Sequence, residues 1–109
     1  MAGLIQVSED DIWMASSGMF YNVVEYLLER AGELPSLRAT LEFGLNSGAK
    51  SCDFRNASEA ELAIVRGLLE RYRAELPIRS QSWPDPAGLP YGIARLDELI
   101  GLLGSSRTR

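Results

Sequence analysis

Two carboxylates, Glu42 and Asp53, stand on either side of a turn-like stretch, Asn46-Ser47-Gly48-Ala49. The residues around them alternate in polarity: Leu37, Ala39, Leu41, Phe43 and Leu45 before the turn, Cys52 and Phe54 after it. Leu37, Leu41 and Leu45 also fit a helix at four-residue spacing, but a period of two is the mark of a strand with one buried face, and the alternation after the turn favours a hairpin. Folding back through four residues sets Phe43 opposite Cys52 and Leu41 opposite Phe54, and the same register puts Glu42 across from Asp53. Like charges so placed repel. The pair reads as acid/base machinery, or as a landing place for a cation or a basic partner. The plainer reading is a solvated face on which Arg55, diagonal to Glu42, or Arg38 screens the two acids.

Trp83 and Tyr91 form the second candidate. Trp83 stands among Pro77, Pro84, Pro86 and Pro90 with Tyr91 close behind. Aromatics on a rigid loop make good interface anchors, because they present large area at small entropic cost. The structural alternative is an indole folded down over the core. Glu9, Asp10 and Asp11 lack the further oxygen donors and the glycine of a calcium loop, and they read as helix-start acids. The glycines of 44–48 have neither the phosphate-loop lysine nor the dinucleotide spacing. Cys52 falls on the apolar side of the hairpin, where it serves as a small hydrophobe.

What is missing narrows the chemistry further. The chain has no histidine and one cysteine, so a soft-metal site, a histidine general base and an internal disulfide are not expected. No cofactor or metal is anticipated. The formal net charge is −4, which disfavours nonspecific nucleic-acid binding, a property driven by Lys and Arg, and suits a partner with a basic surface. No apolar run approaches the roughly 20 residues that cross a bilayer. The N-terminus has neither the basic start nor the long apolar segment of a signal peptide. No membrane association and a cytoplasmic location are expected.

These residues have to be positioned by the rest of the chain. The least ambiguous element is 58–76. Ser58 and Glu61 form a capping box, and Leu62, Val65, Leu69, Tyr72 and Leu76 recur at helical steps beside Leu68. Glu59 and Glu61 suit its positive end and Arg71 and Arg73 its negative end, with Pro77 as its stop. Its stripe is expected to pack on Leu41, Phe43, Cys52 and Phe54.

Before it, Ser8 with Asp11 marks a helix start and 12–30 a long amphipathic helix, whose wide stripe includes Trp13, Phe20, Val24, Leu27 and Ala31. Ser16, Ser17 and Gly18 make a small-residue dent in it, and Gly32 and Pro35 close it. Residues 1–7 form an edge strand or an extended lead-in. After Pro77, 78–83 reads as a short edge strand followed by a loop. Ile93, Leu96, Leu99, Ile100 and Leu103 mark a last helix ending at Gly104. Residues 105–109 form a basic flexible tail.

The expected fold is α+β: a long N-terminal helix, a β-hairpin, a central helix and a C-terminal helix on a small antiparallel sheet, with an all-helical bundle as the alternative. At 109 residues there is room for one domain, 1–104, around one core. The expected function is a small acidic protein-binding module, of inhibitor or immunity type, that neutralises a more basic enzyme through Glu42, Asp53, Arg55, Trp83 and Tyr91. The alternatives are a carboxylate-based enzyme or small-ligand domain, and a structural subunit of a homo-oligomer, such as a homodimer, whose apolar helix faces are completed by self-association.

Overall fold

The computed structural model describes residues 2–31 and 33–105. Gly32 and the tail beyond Ser105 lie outside the described residues. The order of elements is β1 (Ala2–Gln6), β2 (Ile12–Ser16), α1 (Ser17–Ala31), α2 (Pro35–Asn46), β3 (Ser51–Asp53), α3 (Glu59–Arg79), a short 3₁₀ turn (Ser80–Ser82) and α4 (Gly88–Ser105). Four helices pack on a three-stranded mixed sheet of order β2-β1-β3, so the α+β class holds. β1 pairs antiparallel with β2 and parallel with β3.

The first departure from expectation is at 12–16. These residues are a strand, and the lead-in becomes the central strand rather than an edge. Ser8 and Asp11 do not cap a helix; they close the β1–β2 turn, where the Ser8 hydroxyl donates to the Asp11 carboxylate at 2.8 Å and the Val7 amide donates to the Asp11 carbonyl at 2.9 Å. Trp13 and Ala15 point inward while Ile12, Met14 and Ser16 point out, so within five residues the period is two. The helix starts at Ser17 and carries Met19, Phe20, Val23, Val24, Tyr26, Leu27 and Ala31 into the core. Gly3 allows Phe20 to lie flat on the sheet, since a Cβ there would sit 2.2 Å from the ring.

The hairpin of 37–55 does not form, which corrects the register built on it. Residues 35–46 are helical, with Pro35 at the first position, where its missing N–H costs no hydrogen bond. Leu37 and Leu41 are buried and Phe43 is 57% exposed, so the four-residue step prevails over the alternation. Residues 51–53 pair instead with β1 in parallel, reached through a turn in which Gly48 and Lys50 take positive φ. α2 packs against β3 through Gly44, where a Cβ would meet the Cys52 sulfur at 2.4 Å.

α3 keeps its capping box: the Glu61 amide donates to Ser58 Oγ at 3.1 Å and the Ser58 amide donates to Glu61 Oε1 at 2.8 Å. All five stripe residues are buried. They pack chiefly on α4 and α1, not on the proposed hairpin. Pro77 does not stop the helix; one lost hydrogen bond near its end leaves Ile78 and Arg79 helical, and no strand follows. α4 begins five residues earlier than the apolar pattern suggests, because Pro90 stands in its first turn, where proline is tolerated. Leu96, Leu99 and Leu103 are its buried stripe.

Leu69 is fully buried, and Leu69→Ala is expected to cost about 2–5 kcal/mol. Arg73→Ala, which loses a largely exposed ion pair with Asp97, should cost no more than about 1 kcal/mol. Two helical glycines should move in opposite directions. Gly67 has open space around it, and Gly67→Ala should add about 0.5–1 kcal/mol, whereas Gly44→Ala should destabilise by crowding Cys52. Urea unfolding of the four variants checks all of these values.

Candidate functional site

The predicted site residues separate into three places. Glu42 faces along α2 to Arg38, whose Nε donates to it at 2.7 Å across one helical turn. Asp53, at the end of β3, is chelated by Arg55, with guanidinium contacts of 2.8 to 3.2 Å and the Arg55 amide at 3.0 Å. Arg55 also reaches Glu9 at 3.4 Å. The expected Glu42–Asp53 pair is therefore not formed: each acid is neutralised by its own arginine, Glu42 within α2 and Asp53 by Arg55 two residues on. The side-chain and backbone hydrogen bonds from Arg55 hold the Asp53 carboxyl below the usual carboxylate range. Among the described residues there is no group of three or more His, Cys, Asp or Glu that could hold a metal ion.

Trp83 and Tyr91, in contrast, are brought together. The 3₁₀ turn delivers Trp83 in an extended conformation, with φ −76° and ψ 139°. Its indole is half-buried against the core, so it is both a packing residue and a surface residue. Gly88 makes this possible, since a Cβ there would approach Trp83 Cε3 to 3.0 Å. Tyr91 projects from the first turns of α4, 42% exposed, and its hydroxyl accepts the Ser16 amide at 2.8 Å. Arg95, one turn on, donates to the Met14 carbonyl at 3.0 Å, and its own carbonyl accepts Trp13 Nε1 at 2.7 Å. These contacts occupy the free edge of β2, which would otherwise present unpaired backbone groups, and they fix α4, and with it Tyr91, against the sheet.

A groove runs along the exposed face of α1 opposite Trp83. Its face is Gly18, Asn22, Glu25 and Glu29, spaced four, three and four residues apart and all exposed. At one end is a largely apolar hollow of about 240 Å³ lined by Met19, Trp83, Pro84, Gly88 and Tyr91. At the other is a polar hollow of about 290 Å³ lined by Glu25, Glu29, Tyr72, Arg79 and Trp83. Asn22 and Trp83 line both.

The floor of the polar end is an α1–α3 cluster. Tyr26 stacks on Tyr72 with ring centroids 4.5 Å apart, and its hydroxyl donates to Glu75 at 3.0 Å. The Arg30 guanidinium lies 3.7 Å above the Tyr26 ring, and Arg79 bonds Glu75 at 2.9 Å while facing both rings. Burial, then the hydrogen bond to Glu75, raises the Tyr26 hydroxyl; burial also raises Tyr72. Arg79, then Tyr26, holds the Glu75 carboxyl below its ordinary value. Arg30 also bonds Glu29 at 3.2 Å, so with both nearby arginines engaged Glu25 is the acid of the groove wall that has no ion pair among the described residues. The expectation from sequence missed this acidic side. The exposed row on α1 was visible in the 17–31 pattern, but what faces it depends on the path of residues 80–91.

Two other features lie away from the groove. The outer face of the sheet carries Ile12 and Met14, 47% and 53% exposed, beside half-buried Leu4. Cys52 is 1% exposed, and burial pushes its thiol up to about 12, so it is an interior hydrophobe as its position suggested. No helix among the described residues is long and apolar enough to cross a membrane.

Two measurements check these electrostatics. Because the folded-state pKa of Glu75 is depressed, its contribution to stability is present above the unfolded value of about 4.3 and is lost as pH falls through the folded value. Glu75→Gln should therefore show a shallower loss of melting temperature between neutral and strongly acidic solution than the wild type. For Cys52, an aromatic disulfide reagent at mildly alkaline pH should react only as fast as the chain unfolds, and at once in denaturant.

A scan against protein-family models and searches of curated proteins and of solved structures find no match, so the reading of the groove rests on its own geometry.

Proposed function

We propose that this protein is a small acidic cytoplasmic protein-binding module that engages a more basic partner through the α1–Trp83 groove and acts by occupancy, as an inhibitor or immunity-type protein does. The observation that carries this reading is the division of the groove by Trp83 into an apolar seat and a seat walled by Glu25 and Glu29. An aromatic anchor beside a complementary charge is the arrangement in which a few residues supply most of the binding energy. The net charge of −4 adds long-range attraction for a basic surface. The carboxylate-enzyme alternative has no comparable support, because Glu42 and Asp53 share neither a proton nor a ligand position.

A second reading, a homodimer, is favoured by the uncovered Ile12 and Met14 on the outer sheet face. A monomer mass independent of concentration in light scattering would remove it.

The main reading is tested by selecting binders from an unbiased displayed-peptide library. Selected peptides should be rich in Lys or Arg near an apolar residue, should bind more weakly as salt is raised, and should lose binding to Trp83→Ala and to the Glu25→Gln/Glu29→Gln double variant. Recovery of no peptide sensitive to these substitutions would overturn it.

A further inference from the structure

The two seats of the groove have a spacing, and the spacing selects a backbone. On α1 the apolar seat touches Gly18, Met19 and Asn22, and the acidic seat touches Asn22, Glu25, Tyr26 and Glu29. Their centres are about six residues apart along the helix, or about 9 Å at 1.5 Å per residue. A β-strand presents the same face every second residue, at about 6.7 Å and then about 13 Å, and fits neither. A polyproline II segment has three residues per turn and a rise of about 3.1 Å, so positions i and i+3 share a face about 9 Å apart.

Resting on the reading of this groove as a protein-binding site, we propose that its ligand is a polyproline II segment of a basic partner, with an apolar residue at i seated between Trp83, Pro84 and Tyr91 and an Arg or Lys at i+3 between Glu25 and Glu29. Three observations beyond spacing carry this. The apolar seat is walled by aromatic rings and a proline, the surface on which a polyproline II ridge docks. Such a segment makes no internal hydrogen bonds and keeps its carbonyls free. Between the seats stand Asn22 and Trp83, and among the described residues neither the Asn22 carboxamide nor the Trp83 indole N–H has a hydrogen-bond partner. Asn22 and Trp83 line both seats, and the proposal assigns their N–H groups to the carbonyls of i+1 and i+2. The charge is complementary at the far end: Arg79, which lines this seat, is bonded to Glu75, and Arg30 is stacked on Tyr26 and bonded to Glu29 at 3.2 Å, which leaves Glu25 as the seat's acid with no ion pair among the described residues.

The test uses the full chain and synthetic peptides. The probe is acetyl-Pro-Pro-Leu-Pro-Pro-Arg-Pro-Pro-amide, with Leu and Arg three apart. Three comparison peptides carry Leu and Arg two apart, Gln in place of Arg, or Leu and Arg seven apart on an alanine-rich helix. Binding is followed by titration calorimetry and by the indole N–H signals in ¹H–¹⁵N spectra, where Trp83 should shift and the buried Trp13 should not.

The expected result is that the probe binds about tenfold or more tighter than each comparison peptide, the loss expected when a charge-assisted contact is removed or misplaced. It should also lose about the same factor on Glu25→Gln/Glu29→Gln, whose circular dichroism should match the wild type. Equal binding of the two-apart and three-apart peptides, tighter binding of the helical peptide, or no binding of the probe overturns the polyproline II assignment. The library selection separates the two levels: groove binders without this spacing remove the assignment and keep the binding function, whereas the absence of any groove binder removes both.

Discussion

Everything in this fold depends on α1 being buried from two sides. On one side Phe20 lies on the sheet over Gly3, at a distance that no side chain on residue 3 would permit. On the other, Tyr26 stacks on Tyr72 of α3 and is held there by Glu75 and two arginines. A helix gripped in this way has little choice of rotation about its axis. The residues left facing outward, Gly18, Asn22, Glu25 and Glu29, are therefore presented in a fixed row, and a fixed row is what recognition at a defined spacing needs.

The opposite wall is held by different means. Between the 3₁₀ turn and α4, residues 83–87 have no regular structure, yet three constraints fix them. Pro84 and Pro86 restrict the backbone directly after Trp83. The indole packs into the gap left by Gly88. α4 is tied to the edge of β2 by Tyr91 and Arg95. The same contacts that keep β2 from pairing with another chain also set the distance between Tyr91 and α1, so sheet protection and groove shape are one feature of the structure. The apolar seat inherits its rigidity from α4 and the polar seat from the Tyr26–Tyr72 stack, with Trp83 belonging to both.

How much of this could be read from the chain varies with the kind of signal. α3 was legible because its cap, stripe and dipole charges agree locally, and its five stripe residues are all buried. The stripe of α4 was legible from its spacing alone, and the burial of Cys52 from the alternation of 51–54, although the strand it sits on pairs with β1 and not in a hairpin. Residues 37–46 were not, because Leu37, Leu41 and Leu45 satisfy both periods. The deciding marks were Pro35, suited to a first helical turn, and Arg38 with Glu42 at i, i+4, and both had been assigned to other roles. Residues 12–16 failed in the opposite way: a Ser-x-x-Asp that closes a hairpin turn has the same spelling as one that caps a helix. Where one short pattern serves two structures, tertiary pairing decides; here β1 needs a partner on each edge.

The site follows the same division. Trp83 and Tyr91 could be singled out because aromatics among prolines are unusual wherever they fall, but Glu42 and Asp53 were paired only by a register that does not exist. Glu25 and Glu29 carried no local mark at all, since charged residues on the outer face of a helix are the ordinary case. They acquire meaning from what stands opposite: two acids on a bare helix face are solvated and unselective, whereas here, one seat away from an aromatic hollow, Glu29 bonds Arg30, Arg79 bonds Glu75, and Glu25 has no ion pair among the described residues, which is the position the proposed reading gives to a partner's cation. In the proposed reading specificity rests on the distance between an apolar seat and a charged one, and that distance is a property of α1's geometry and not of any residue alone.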